Sequence, residues 1–109
     1  MITWEDFTKI DIQIGTIVTA EEFLGLKNPA LKLEIDFGIL GIKKSSAQIT
    51  KLYSPDDLIG KQVVAVMNFP PKQIKNFFSE CLVLGAYGKD GEVTLLTIDQ
   101  PVENGSKIG

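Results

Sequence analysis

Two stretches of the chain, "GIKKSSAQITK" and "NFPPKQIKNFFS", combine lysines with small hydroxyl and amide side chains. Lysine ammonium groups can neutralise the phosphates of a nucleic acid, and hydroxyls and amides can hydrogen-bond its backbone or an unstacked base. If the fold brings both stretches to one face, that face would suit a polyanion. Lys32, on the outward side of the preceding strand, would add one more ammonium group to it. The candidate residues are Lys32, Lys43, Lys44, Ser46, Gln48, Lys51, Asn68, Lys72, Lys75 and Ser79.

Both stretches also have an ordinary structural interpretation. The segment "IKKSSAQI" could be an edge strand that is kept polar to block association between sheets. The lysines that follow Pro70 and Pro71 could be solvent-exposed side chains at the corner of a barrel. The sequence leaves both interpretations open.

The charge of the chain is unevenly distributed. The net charge is −3, from eleven lysines, no arginine and fourteen carboxylates. Between Phe37 and Ser79 there are six lysines and two aspartates, so this region carries +4 and the remainder −7. Because the local potential decides whether a polyanion can dock, the central region remains a candidate despite the acidic total.

Catalytic and metal-binding chemistry is poorly represented. The chain has no histidine and a single cysteine, and its acidic pairs are sequence neighbours whose side chains diverge. Neither Ser45, Ser46 nor Cys81 has an evident general base beside it. We therefore predict a protein that is not an enzyme and that holds no metal ion and no cofactor.

The cysteine content and the hydropathy of the chain also predict its cellular environment. Cys81 cannot form an intramolecular disulfide, which favours a reducing, cytoplasmic environment. The acidic and aromatic beginning, "MITWEDFTK", is unlike a signal peptide, and no apolar run approaches the roughly 20 residues that cross a bilayer. We expect no membrane insertion.

Alternating and helix-capping residues predict a mainly β fold with short helical pieces. "LKLEIDFG" alternates apolar and charged residues, whereas "QVVAVMNF" and "CLVLGAY" are apolar enough to be buried strands. Gly15 interrupts the first strand, where we expect a bulge. Thr3 and Asp6 suit a shortened capping box, Ser54 suits the N-cap of a second helix, and "GKDGE" predicts a hairpin turn.

The order of these elements is typical of an OB-fold. About five strands with one short helix between the third and the fourth form a five-stranded barrel of this class, with short terminal extensions. We expect residues 1–109 to form a single domain of this type. After the two prolines end the fourth strand, we expect a rigid loop that displays Lys72 and Lys75 and packs Ile74 and Phe78 inward.

The chain resembles the EMAP-II-like tRNA-binding domain that is attached to some methionyl- and phenylalanyl-tRNA synthetases. The resemblance covers nearly the whole chain and is carried by "DIQIGTIVTAE", "YSPDDLIGKQVVAVMNFPPKQIKNFFSECLVLGA" and "VENGSKI". Asn68, Pro71, Lys72 and Ser79 match the tRNA-binding pattern, whereas "CL" stands where Gly-Met is common. Within this group, "KLEIDFG", "GIKKSSAQITKLYSPDDLIGKQVVAVMNFPPKQI" and "SECLVLGA" resemble the CsaA family of bacterial export-related chaperones.

The resemblance implies two kinds of partner. A CsaA-type protein is expected to bind unfolded preproteins and to work with SecA-type export machinery, and its lysine-bearing face could also bind tRNA. The alternative is a dedicated, structure-specific tRNA-binding module without a chaperone role. Residues that could line an apolar peptide-binding pocket are Phe23, Leu24, Phe77 and Phe78. Phe77 or Phe78 could instead stack on a base, pack in the core or contact a second subunit.

Apolar residues in the terminal segments raise the question of oligomeric state. These are Ile2, Trp4 and Phe7 at the start and Val102 and Ile108 at the end. Packing within one chain could cover them, and so could a second copy. The resemblance to the CsaA family favours a homodimer with two-fold symmetry.

Overall fold

Nine strands, two short α-helices and one 3₁₀ turn build the fold, and the computed structural model describes all residues from 1 to 109. The strands are β1 (Ile12–Phe23), β2 (Ala30–Asp36), β3 (Ile42–Ala47), β4 (Gln62–Val66), β5 (Lys72–Ile74), β6 (Phe77–Ser79), β7 (Leu82–Val83), β8 (Gly85–Tyr87) and β9 (Val93–Leu95). The helices are α1 (Trp4–Thr8) and α2 (Pro55–Leu58), and the 3₁₀ turn spans Gly38–Leu40.

Five of the strands form one curled antiparallel sheet in the order β3–β2–β1–β4–β7. Two hairpins, β5–β6 and β8–β9, are separate two-stranded sheets. The short helix α2 lies between β3 and β4 in the chain, as the sequence predicts. The predicted mainly β, OB-type fold is therefore confirmed, and its five-stranded sheet forms a half-barrel.

The core follows the period of two that the sequence shows in β2. Leu31, Leu33 and Ile35 are almost completely buried, and Phe37 continues the series at the end of the strand. The intervening residues, which include Lys32 and Glu34, lie on the outer face. This alternation places Lys32 on the surface that the lysine-rich segments also reach.

Gly15 has a different role from the one predicted. The register of β1 against β2 shifts between Ile17 and Thr19, so the irregularity lies beyond Gly15. A Cβ atom at Gly15 would stand 2.7 Å from Cγ2 of Ile35 and 2.7 Å from the Phe37 ring. Glycine is therefore required here because the β1 backbone packs directly against the core side chains of β2.

Hydrogen bonds between the N-cap residue and the aspartate three positions later begin both α-helices. The Asp6 amide donates to Oγ1 of Thr3 over 3.1 Å, and the Thr3 amide donates to the Asp6 carboxylate over 2.9 Å. At α2, the amide and hydroxyl of Ser54 both donate to Oδ2 of Asp57, over 3.0 and 2.9 Å. These hydrogen bonds lower the pKa of Asp57. Both capping predictions are confirmed.

The segment "CLVLGAY", predicted as one strand, changes its partner at Leu84. Its first part, β7, pairs with β4, and its second part, β8, pairs with β9. The Leu84 amide donates to the Val64 carbonyl, while the Leu84 carbonyl accepts from the amide of Leu96. The predicted hairpin turn at Asp90 and Gly91 is present, and Gly91 has φ +79°.

The C-terminal segment completes the sheet beside the first half of β1. Gly105 and Ser106 exchange backbone hydrogen bonds with Ile14, and the Ile108 amide donates to the Ile12 carbonyl. Gly105 has φ +90°, and a Cβ there would stand 2.6 Å from the Phe37 carbonyl oxygen. No helix of the chain is both long enough and apolar enough to span a membrane.

Candidate nucleic-acid interface

The outer edge of β3 is joined to the segment that follows β6. The Lys44 amide donates to Oε1 of Glu80 over 2.9 Å, and the Glu80 amide donates to the Lys44 carbonyl over 2.8 Å. The Ser46 amide donates to Oγ of Ser79 over 3.1 Å. β3 is the edge of its sheet, yet the Lys44 amide and carbonyl and the Ser46 amide are all hydrogen-bonded across this contact, which we call the seam. The seam brings the two lysine-bearing stretches of the sequence together.

The stretch after the prolines forms a hairpin, which corrects the predicted loop. Lys72–Ile74 pairs with Phe77–Ser79 through a two-residue turn, Lys75 and Asn76. Phe78 is 51% exposed and does not pack inward as predicted. Because residues alternate in direction along a strand, the inward position belongs to Phe77.

Lys75 stands at a turn position that favours glycine. Its φ is +55°, and it is the one residue other than glycine with a positive φ. Such a conformation costs an ordinary side chain about 1 kcal/mol or more. The Lys75 ammonium lies 2.9 Å from the place where Gly25 would carry a Cβ. The strained residue therefore extends its charge from the hairpin to the β1–β2 loop.

Four lysines converge on one continuous surface, which we call the lysine face. Lys32, Lys44 and Lys75 line a groove of about 550 Å³. Lys72 lines a neighbouring groove of about 470 Å³ with Ser46, Gln48 and Ser79. A third hollow of about 580 Å³ shares Lys44 with the first groove and Glu80 with the second. The lysine face is made of Lys32, Lys44, Lys72 and Lys75.

These ammonium groups have no carboxylate partner within the chain. The single ion pair joins Lys9 to Asp6 over 3.7 Å. The grooves also contain three carboxylates, so the surface has a surplus of one positive charge. Two of these carboxylates are hydrogen-bonded: Glu34 accepts from the Thr19 hydroxyl and Glu80 from the Lys44 amide. The third is Glu21.

The Lys32 ammonium is held over two aromatic rings. It lies 4.7 Å from the centroid of the Phe23 ring and 5.7 Å from that of Phe77. The two rings pack edge to face with centroids 5.4 Å apart. This cation–π cluster connects the end of β1, the outer face of β2 and the hairpin.

The four candidate peptide-binding residues differ in accessibility. Phe23 is 7% exposed and Phe77 is half-buried, because both belong to the cation–π cluster. Leu24 and Phe78 are exposed, the former to 76%. Phe23, Leu24 and Phe77 line the groove of Lys32, whereas Phe78 lines the third hollow.

Three of the predicted polar residues lie apart from the lysine face. Lys43 pairs with Ile35 across β2 and β3, so it points to the opposite face of β3 from Lys44. The Lys51 ammonium donates to the Asp90 carbonyl over 2.7 Å, at the β8–β9 hairpin. Asn68 belongs to a separate contact.

Asn68 joins the end of β4 to the N-terminal segment. Its side-chain oxygen accepts from the Asp11 amide over 2.9 Å, and its side-chain nitrogen donates to the Lys9 carbonyl over 2.7 Å. The amide thus holds α1 and the start of β1 against the strand that precedes the prolines. Its hydrogen-bonding groups are engaged within the chain.

Several residues of the site were not predicted. They are Phe69, Asn76 and the three carboxylates of the grooves, Glu21, Glu34 and Glu80. The alternation of "KLEID" could have placed Glu34 beside Lys32, since both occupy outward positions of β2. Asn76 and Glu80 depend on the hairpin and the seam, for which the sequence has no local signal.

The remaining reactive side chains are engaged in the core. Cys81 is buried, and this burial raises its pKa from 9.0 to about 11. The Ser45 hydroxyl donates to the Cys81 carbonyl over 2.9 Å. No three histidine, cysteine or acidic side chains are grouped as metal ligands would be. The geometry offers charge and hydrogen bonds to a ligand rather than a nucleophile.

Residues 12–107 match the family described as "Putative tRNA binding domain". The chain belongs to this tRNA-binding domain family. A methionine–tRNA ligase of Caldanaerobacter subterraneus is 36% identical to it over 107 residues, which is 98% of this chain and 16% of the ligase. A methionine–tRNA ligase of Methanocaldococcus jannaschii is 36% identical over 106 residues. The tRNA-binding domain thus spans about one sixth of the length of these curated relatives.

Solved structures extend the similarity to the whole chain. The chaperone CsaA of Bacillus anthracis is 55% identical, with a TM-score of 0.95, and covers 100% of this tRNA-binding domain and 99% of its own chain. The CsaA chaperone protein of Picrophilus torridus is 56% identical, with a TM-score of 0.93 and full coverage of both chains. The predicted resemblance to CsaA-like tRNA-binding domain proteins is confirmed.

Proposed function

We propose that this tRNA-binding domain binds tRNA through the lysine face. The observation that carries the proposal is the convergence of four unpaired lysines from β2, β3 and the β5–β6 hairpin on adjoining grooves. Family membership supplies the class of nucleic acid, because residues 12–107 match a tRNA-binding family. The role is that of a binding module and not of an enzyme.

The arrangement suits a folded polyanion better than free phosphate. Ammonium groups spread over adjoining grooves can each meet a different phosphate along a backbone. If all four take part, log affinity should fall with log salt concentration at a slope of about −3. Glu21, Glu34 and Glu80 oppose indiscriminate binding, so the shape of the RNA must place phosphates at the lysines and away from the carboxylates.

A second function, chaperone activity on unfolded preproteins, is supported by a different observation. Two solved proteins that are 55–56% identical over the full chain are named CsaA chaperones. Leu24 and Phe78 offer exposed apolar surface beside the lysine face, Leu24 together with Phe77 in the groove of Lys32 and Phe78 in the third hollow. We propose that this apolar surface holds unfolded segments and that SecA-type export machinery is the partner. A cytoplasmic location belongs to the same proposal.

The oligomeric state belongs to this proposal as well. Helix α1 has no buried residue, and Ile2 and Trp4 are 76% and 72% exposed. Val102 and Ile108 at the other end of the chain are also exposed. We propose that a homodimer covers these terminal side chains. Sedimentation of wild type and of Trp4→Glu should show a dimer that dissociates in the variant, and a wild-type monomer at every concentration would contradict it.

The decisive experiment separates the two ligands. Folded tRNA and a reduced, unfolded preprotein are titrated at low and moderate salt against wild type and the double variant Lys44→Glu plus Lys72→Glu. We expect tRNA affinity to fall by at least tenfold and preprotein affinity to change little. The matched control, Lys61→Glu plus Lys89→Glu, makes the same change in net charge at exposed lysines outside the grooves.

Three outcomes would redirect the proposal. Unchanged tRNA affinity in the lysine-face variant would remove the site. Equal loss in the lysine-face and control variants would show that net charge alone governs binding. Parallel loss of tRNA and preprotein in the lysine-face variant alone would mean that both ligands use one surface.

A further inference from the structure

The groove that Lys72 lines differs in character from the rest of the lysine face. We call it the Phe69 groove, and its volume of about 470 Å³ lies in the range of small-molecule sites. Phe69 and Ile74 supply apolar wall, Ser46 and Gln48 supply polar groups from the end of β3, and Lys72 supplies one ammonium. It combines an aromatic ring, neutral hydrogen-bonding groups and a cation within one small concavity, and its one carboxylate, Glu80, accepts a hydrogen bond from the Lys44 amide.

Phe69 is an aromatic side chain without an aromatic partner. It is 56% exposed, although phenylalanine is usually among the most buried residues. The chain has two aromatic pairs, Trp4 with Phe7 and Phe23 with Phe77, and Phe69 belongs to neither. Pro70 and Pro71 follow it directly and fix two φ angles, so the ring is displayed from a stiff segment. It presents unpaired aromatic surface to the groove.

The polar groups of the groove are equally unused. The chain has five glutamines, and Gln48 is the one whose side-chain amide makes no hydrogen bond within the chain. The Ser46 hydroxyl also makes none, since only the Ser46 backbone amide meets Ser79. Ser46 lies in β3 and Gln48 directly follows the strand, and both side chains line the Phe69 groove. A ligand would find a free donor and a free acceptor there.

We infer that the Phe69 groove receives one unstacked base of the bound RNA. The base would stack on the Phe69 ring, Gln48 and Ser46 would hydrogen-bond its edge, and Lys72 would meet the adjacent phosphate. A flat ring with a polar edge and a neighbouring negative charge satisfies all three features of the groove. An apolar peptide side chain would leave Gln48, Ser46 and Lys72 without partners.

This inference rests on the proposed binding of RNA, and its test uses probes that separate the two. Wild type is titrated with a single-stranded RNA of about six nucleotides and with an abasic strand of the same length and charge. We expect the base-bearing strand to bind about tenfold tighter, and Phe69→Ala to abolish that difference without changing the salt slope. Gln48→Ala should reduce the difference in part.

Matched variants test the specificity of these effects. Tyr87→Ala removes an aromatic ring that is 86% exposed and lies on the β8–β9 hairpin outside the grooves. Gln100→Ala removes an exposed amide far along the chain. Both should keep the preference of wild type for the base-bearing strand. Thermal unfolding of each variant should match that of wild type, because all four residues are exposed.

The failures of the two proposals look different. If wild type binds both strands equally and with a salt dependence, the base site is refuted while the lysine face stands. If neither strand binds and tRNA does not bind, both proposals fall. If Phe69→Ala weakens only the binding of an unfolded polypeptide, the groove is a peptide site and the inference is wrong. If Phe69→Ala dissociates a dimer, the ring is a subunit contact and the inference is equally wrong.

Discussion

Lys44 and Glu80 exchange two hydrogen bonds across the seam, and the same two residues set the electrostatics of the lysine face. The Lys44 amide donates to the Glu80 carboxylate over 2.9 Å, and the Glu80 amide donates to the Lys44 carbonyl over 2.8 Å. The carboxylate thus helps to close the barrel while placing a negative charge among lysines. Its structural use and its electrostatic effect on an anionic ligand are opposed, so they can be separated by substitution.

Replacing Glu80 by glutamine should separate these two effects. Glu80→Gln keeps an acceptor for the Lys44 amide and removes the negative charge, so we expect tRNA affinity to rise by about threefold to tenfold. The free energy of unfolding should change by less than about 0.5 kcal/mol, whereas Glu80→Ala should lose about 1 kcal/mol. Fluorescence anisotropy with labelled tRNA and urea unfolding measure the two quantities. An increase of the same size in Glu103→Gln, an exposed residue outside the grooves, would rule out a local effect.

Lys75 should show a conflict between stability and binding. Its φ of +55° suits glycine, so Lys75→Gly should raise the free energy of unfolding by about 1 kcal/mol. The same change removes an ammonium from the lysine face, and the salt slope for tRNA should become shallower by about 0.7 to 0.9. Chemical denaturation and titrations over a salt series measure these effects.

Lys72→Gly is the informative comparison for Lys75→Gly. Lys72 has no positive φ and lies in strand β5, so its replacement should lower stability while reducing the salt slope equally. A loss of stability in Lys75→Gly as well would show that the side chain contributes more than its backbone strain costs.

Asn68 should behave as a structural residue. Asn68→Ala removes hydrogen bonds to the Asp11 amide and the Lys9 carbonyl, and we expect a loss of about 1 to 2 kcal/mol of stability. The salt slope of tRNA binding should not change, because the amide is bonded to Asp11 and Lys9 and Asn68 lines none of the grooves of the lysine face. A normal melting temperature together with weak tRNA binding would instead return Asn68 to the nucleic-acid site.

Alkaline pH should destabilise the fold through Cys81. Burial raises the pKa of this thiol from 9.0 to about 11, so between these values the unfolded chain loses a proton that the folded chain keeps. Stability therefore falls as the pH rises through this window, by up to about 2 to 3 kcal/mol, and Cys81 contributes no pH dependence below pH 9. Cys81→Ala should flatten the decline in urea unfolding between pH 9 and 11. Identical slopes in the two proteins would exclude the thiol as the cause.

The sequence predicted the local features of this fold well. The alternation in β2, the N-caps at Thr3 and Ser54 and the turn at Gly91 are each specified by neighbouring residues, and the structure shows them all. Gly15 was placed in the correct strand but given the wrong role. The requirement for glycine at this position comes from residues that are distant in the sequence, because the atoms that exclude a side chain there belong to Ile35 and Phe37.

The candidate site was harder to predict because the seam creates it. Adjacent lysines in a strand must point to opposite faces, so Lys43 and Lys44 could not both join one surface. Which of the two did so depended on the register of β3 against β2 and on the contact with Glu80. The aromatic wall at Phe69 gave no signal either, since an apolar residue at a strand end looks like core.

The seam between β3 and the hairpin is fastened largely by the Ser79 hydroxyl and the Glu80 carboxylate instead of a regular backbone ladder. We therefore expect local opening of the sheet to occur most readily at the seam. The Ser46 amide should be among the earliest to exchange its proton for deuterium. An RNA strand that contacts Lys44 in β3 and Lys72 in the hairpin would bridge the two sides of the seam and hold them together. The barrel would then become more rigid as more of the protein is bound to RNA.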